Sequence, residues 1–175
     1  MPPFSLRTSI AVLALGAAFG CGGAAADEAQ IQRGKYLVSI AGCSDCHTPG
    51  GLLGKPDMSR YLGGSDTGFA IPGAGVFVGQ NVTPDRETGI GDWSSADIVK
   101  ALRTGKQPNG AALSGVMPVF AQLADPDAEA IAAFLKSLPP VKNKVPGPIK
   151  PGNPVNVFVS VVLAADVYNG LQGQK

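Results

Sequence analysis

Cys43-Ser44-Asp45-Cys46-His47 reads C-x-x-C-H, and the rest of the chain is best understood from it outward. This spacing is the attachment signature of a c-type haem. Two thiols add across the two vinyl groups of the porphyrin and become thioethers. Positions three apart on a helix share one side, so both sulfurs can meet one edge of the ring. His47 follows Cys46 directly, and its imidazole can stand under the iron as the proximal ligand.

The inventory of ligands sharpens this reading. The chain holds 3 Cys and 1 His, and Cys21 lies in a stretch that reads as a leader. The other two Cys and the only His all fall in the pentapeptide. A structural zinc site needs four soft ligands, more than remain. A thioredoxin-like pair needs a βαβ setting that the sequence lacks. A plain Cys43–Cys46 disulfide would leave His47 idle.

Residues 1–26 have the features of an export signal: Arg7 as the only positive charge, a short apolar run from Ile10 to Phe19, and Ala24-Ala25-Ala26 as a cleavage site. The run is short for a membrane span, and lipidation of Cys21 is the alternative route to a membrane. Export suits the motif, because c-type haem is attached outside the cytoplasm in bacteria, and the expected location is the periplasm. The chain carries 14 Lys+Arg and 13 Asp+Glu, so loss of Arg7 with the leader leaves it formally neutral. Such a balance gives no basic patch for nucleic acid. Residues 27–146 then make one domain and residues 147–175 a C-terminal extension.

Within that domain the periodicity predicts three helices. The first spans residues 27–47, with Ile31, Gly34, Val38 and Ala41 on one face and the motif at its end. Gly34 on an apolar face implies a close backbone crossing, with Phe134 or its neighbours as partner. Residues 94–104 form the second helix, with Ser94 as N-cap, Asp97 completing an acidic capping box and Gly105 as stop. Residues 125–138 form the third, with Asp125 as N-cap, Pro126 at the first helical position, and Ile131, Phe134, Leu135 and Leu138 as its apolar face. Pro139-Pro140 ends it.

Between the first two helices, residues 48–92 are Gly-rich and broken by Pro49, Pro56, Pro72 and Pro84. A structureless stretch of this length argues against a compact domain unless a flat apolar cofactor serves as core. Val76-Phe77-Val78 reads as a short strand or hairpin arm. After a Pro-rich connector, Val155 to Val161 alternates as a strand laid on the domain edge, or else as a docking arm, and the Pro-rich approach makes that segment separable from the core.

A haem iron with one proximal His keeps a second axial position. No second His exists, which leaves Met58 and Met117 apart from the initiator. Met117 precedes Pro118 in a loop before the last helix and is the favoured sixth ligand. Met58 as ligand, or an open position with Met117 as core filler, is the alternative. Trp93, just ahead of the second helix, is either a core residue or a donor from its indole N–H to a haem propionate.

Several segments together resemble the class I c-type cytochromes, in particular bacterial monohaem cytochromes related to the haem subunits of membrane-associated dehydrogenases. They are Asn81-Val82-Thr83-Pro84-Asp85, Thr88-Gly89-Ile90-Gly91-Asp92-Trp93-Ser94, Met117-Pro118 and Ala132 to Pro140, taken with the C-x-x-C-H. The long loop Tyr61 to Gly79 and the tail after Pro146 are additions to that pattern. The resemblance implies a mainly α fold, with class I cytochrome c-like helices around one covalent haem c, long Gly-rich loops and a short β-like tail. It implies Cys43 and Cys46 as thioether sites, His47 as proximal ligand and Met117 as distal ligand. The implied function is that of an electron carrier with no catalytic residues. Its donor and acceptor would be redox proteins: a dehydrogenase, an oxidase or another cytochrome. A fixed haem subunit of a dehydrogenase, and a pentacoordinate peroxidase or gas sensor, are the rival readings.

Overall fold

The computed structural model describes residues 22–155 and 158–161, and for residues 22–26 and 158–161 the backbone alone. Most of the expected leader, including Cys21, and the end of the tail lie outside these residues. The described residues hold four helices, α1 (Gly22–Ile40), α2 (Cys43–His47), α3 (Ser95–Thr104) and α4 (Asp125–Ser137), of which α1, α3 and α4 form the frame. Among the described residues no helix is long and apolar enough to cross a membrane.

The crossing of α1 and α4 is set by one missing side chain. Gly34 in a helix interior costs about 1 kcal/mol against Ala. A β-carbon there would overlap the carbonyl oxygen of Ala130 and lie 2.7 Å from Cβ of Phe134. The partner expected for Gly34 is therefore the one observed. Arg33 then reaches across the same crossing to Asp127 through paired bonds of 2.9 and 3.2 Å. Val38, Ile131, Phe134 and Leu135 are buried between the helices, and Ile98 and Leu102 of α3 close the same core.

Capping explains the ends of α3. Ser94 accepts from the Asp97 amide, the Asp97 carboxylate accepts from the Ser94 amide, and Gly105 terminates the helix at φ 65°. α4 departs from expectation at its start. Ala124 occupies the N-cap and makes no side-chain bond, while Asp125 is already helical and pairs with Arg103. Pro126 sits inside the first turn, where its missing N–H costs nothing.

The single helix expected over residues 27–47 is two. α1 begins at Gly22, and the chain breaks at Ala41-Gly42, where Gly42 takes φ 65°. Only a residue without a β-carbon adopts that value at little cost, so the motif starts a fresh helix in a new direction.

The Gly-rich stretch is more ordered than its composition suggests. β1 (Thr67–Ile71) and β2 (Gly75–Val78) pair as an antiparallel hairpin, which gives the supposed loop from Tyr61 to Gly79 a strand the sequence reading missed. β3 (Phe158–Val161) adds parallel to β1, so the sheet order is β2-β1-β3 and the expected tail strand forms an edge. The connector between α4 and β3 is bonded to the core along its length. Ile149 bridges Val76 through backbone bonds of 2.8 and 2.9 Å, and earlier connector residues bond to the loops preceding α3.

Candidate functional site

α2 is one and a half turns long, and its placement depends on the chain around it. Gly51 and Gly79 press against its backbone: a β-carbon on Gly51 would lie 2.6 Å from the Ser44 carbonyl oxygen, and one on Gly79 would overlap that of Cys46. The His47 carbonyl accepts from the Gly64 amide at 2.8 Å. Thr48, fully buried, accepts from the amide of Leu62 at 2.9 Å. Leu62 is itself fully buried at φ 58°, the only non-glycine at positive φ among the described residues. Such backbone costs a Leu roughly 1–2 kcal/mol. Strain of this kind persists where its surroundings over-determine it, commonly beside functional sites.

His47 Nδ1 lies 2.6 Å from the carbonyl oxygen of Gln80. A carbonyl can only accept, so Nδ1 carries the proton and Nε2 keeps its lone pair for a metal. Burial pushes the imidazole below its usual pKa, partly offset by the bond to Gln80.

Both cysteines are half-buried. Burial, reinforced by nearby charges, pushes Cys43 up to about 11, and Cys46 is raised for the same first reason with Asp45 adding to it. The Tyr61 hydroxyl is raised by burial and then by the neighbouring Cys43, which places Tyr61 beside the motif. The sequence reading did not include it.

An apolar groove of about 190 Å³ opens beside Cys43, lined by Leu37 and Ile40 of α1, Ala41 just after it, Leu102 of α3, Phe120, Leu123 and Ile131. Met117 is half-buried and packs against the core cluster that Cys43 also touches, whereas Met58 is 63% exposed. The Met117 amide closes a turn onto the Ser114 carbonyl at 2.9 Å. Trp93 packs against the same cluster, and its carbonyl accepts from Lys136 Nζ at 2.8 Å. Of the expected residues, Cys43, Met117 and Trp93 pack against one core, while Cys46 and His47 lie on the same short helix as Cys43.

These features fit a covalent haem. The lining beside Cys43 is apolar, the thiols lie in one short helix, and His47 presents a free ring nitrogen set by a carbonyl behind it. His47 would hold the iron, and Cys43 and Cys46 the porphyrin.

Comparison with known proteins agrees. A family model described as cytochrome c matches residues 31–139. The cytochrome c subunit of the quinone-dependent alcohol dehydrogenase of Gluconobacter oxydans is 40% identical over 69% of this chain and 24% of its own length. The fructose dehydrogenase cytochrome subunit of Gluconobacter japonicus is 33% identical over 78% of this chain and 28% of its own. The gluconate 2-dehydrogenase cytochrome c subunit of Pantoea cypripedii is 35% identical over 81% and 32%. The chain thus spans about a quarter to a third of these relatives. A single C-x-x-C-H, its oriented histidine and the match across the three-helix frame lead to one assignment: the chain is a haem c protein of the cytochrome c family, of the class I type related to cytochrome subunits of membrane-associated dehydrogenases.

Proposed function

We propose that this chain is a periplasmic monohaem electron carrier in which His47 and Met117 are the axial ligands and the haem is joined to Cys43 and Cys46. Haem c supplies a one-electron iron couple when bound. The observation that carries the reading is the bond from His47 Nδ1 to the Gln80 carbonyl, which fixes the tautomer a ligand requires. Met117, packed against the core, is favoured over Met58, which stands in solvent. Trp93 packs against the core cluster, and a contact from its indole N–H to a haem propionate is the second role proposed for it. A saturated iron suits transfer between proteins, and such redox encounters are small and transient.

The test is the absorption spectrum of protein matured in the periplasm. Met ligation gives a weak long-wavelength ferric band, and Met117→Ala removes it while Met58→Ala leaves it. Rapid binding of carbon monoxide or cyanide by the unaltered protein would instead favour an open iron, as in a peroxidase or gas sensor.

A second reading is favoured by the relatives, whose names place them as subunits of dehydrogenases. In it this domain is a fixed haem subunit fed by a dehydrogenase. Removal of residues 151–175 spares the Ile149 bridge and deletes β3. Unchanged reduction by a partner dehydrogenase supports the free carrier, and lost reduction supports the fixed subunit.

A further inference from the structure

We propose that the connector after α4, residues 139–150, is a strap on the proximal side that positions the Gln80 carbonyl against His47 and thereby tunes the reduction potential of the haem. The inference rests on His47 being the proximal ligand.

The acceptor of the histidine proton is a single peptide carbonyl, and the chain restrains it from three directions. On its N-terminal side, Gly79 lies against the Cys46 carbonyl with no room for a β-carbon, and the Gly79 carbonyl accepts from Ser65 N at 2.8 Å. On its C-terminal side, the buried Asn81 donates to the Val141 carbonyl of the strap at 2.6 Å. At Gln80 itself, the side-chain amide donates to the Val78 carbonyl at 2.9 Å and to the Pro146 carbonyl of the strap at 3.0 Å.

The strap is held in turn along its length. Val141 N donates to Thr83 Oγ1 at 3.0 Å, and Asn143 N donates to Thr88 Oγ1 at 3.1 Å. Asn143 Nδ2 donates to the Gly63 carbonyl at 2.8 Å, next to Gly64, whose amide bonds the His47 carbonyl. The strap therefore reaches both the peptide that accepts from the imidazole and the loop that holds the His47 backbone. Second-shell acceptors of this kind raise the basicity of a ligating histidine. A more basic ring stabilises the ferric iron, so loosening the acceptor should raise the potential.

The experiment is redox titration of the full-length, haem-loaded protein. Gln80→Met keeps side-chain length and loses both donors. It is expected to shift the equilibrium toward the reduced state about threefold, ~28 mV at 59 mV per tenfold for one electron, with the axial-ligand bands unchanged. Asn143→Ala, which loosens the strap further along, should raise the potential by less. Unchanged potentials in both variants, with histidine ligation intact in their spectra, would overturn the strap. If the unaltered protein itself shows no histidine on iron, the underlying assignment fails instead, and the spectrum tells the two apart.

Discussion

The three-helix frame and the loop wall from Thr48 to Ile90 are held by different forces. The frame is held by apolar burial: Val38, Ile98, Ile131 and Phe134 sit where helical spacing puts them. The wall is held by backbone contacts at glycines and by a polar network. Asn81 Oδ1 accepts from the amide and hydroxyl of Thr83, and Asn81 Nδ2 donates to Thr88 Oγ1 and to the Val141 carbonyl. Thr88 donates onward to Asp85 at 2.7 Å. The wall gives only Leu62 and Ile90 to the buried core cluster, and its polar groups satisfy each other.

Gly34→Ala gives the sharpest break in the frame, because propensity and packing predict opposite signs. Propensity alone offers a gain of about 1 kcal/mol. The overlap with the Ala130 carbonyl is expected to reverse it and to exceed the ~3 kcal/mol upper end of ordinary overpacking, as measured by denaturant unfolding. A gain would mean the helices do not cross there. In the wall, Leu62→Ala is expected to cost about 2–5 kcal/mol by loss of a buried side chain, with no relief at the positive φ because Ala keeps the β-carbon. Asn81→Ala should cost about 1–3 kcal/mol, since it strands buried polar partners. A neutral result there would reduce the wall to surface loop. Ser94→Ala, which removes the α3 cap, should cost about 1 kcal/mol and return the comparison to the frame.

The smallest effect is one of pH. The bond from the Thr88 hydroxyl, with amide bonds behind it, holds the Asp85 carboxyl below its usual range. A depressed carboxyl lends stability that is present above its unfolded pKa, about 3.9, and lost as pH falls through the folded value. Thermal unfolding of Asp85→Asn should therefore vary less with pH below 4 than that of the unaltered chain.

The same division decides what could be read in advance. Gly34, the Ser94 capping box, Gly105 and the face of α4 each follow a local rule, and each was found where expected. Asp125 satisfied a local rule too, but a tertiary partner, Arg103, took its carboxylate and left Ala124 at the cap. The break at Gly42 had a signal in the glycine itself, outweighed by apolar spacing that continued to Ala41. The sequence Thr67-Gly-Phe-Ala-Ile has too little alternation to announce β1, and its pairing depends on β2 and on a strand about ninety residues away. Leu62, Tyr61 and the strap carry no local signature at all, because their conformations are imposed by contacts distant in sequence. The site was legible as residue types; its orienting carbonyl at Gln80 was not, since every residue has a carbonyl.

The central claim is that one haem is joined to Cys43 and Cys46. A pyridine haemochrome spectrum of the denatured protein, after expression in a host competent for cytochrome maturation, tests it most directly. The expected result is one haem per chain that stays with the polypeptide on extraction and shows both vinyl groups saturated, lost when both cysteines are replaced by Ala. Colourless, folded protein with two free thiols at Cys43 and Cys46 would contradict it.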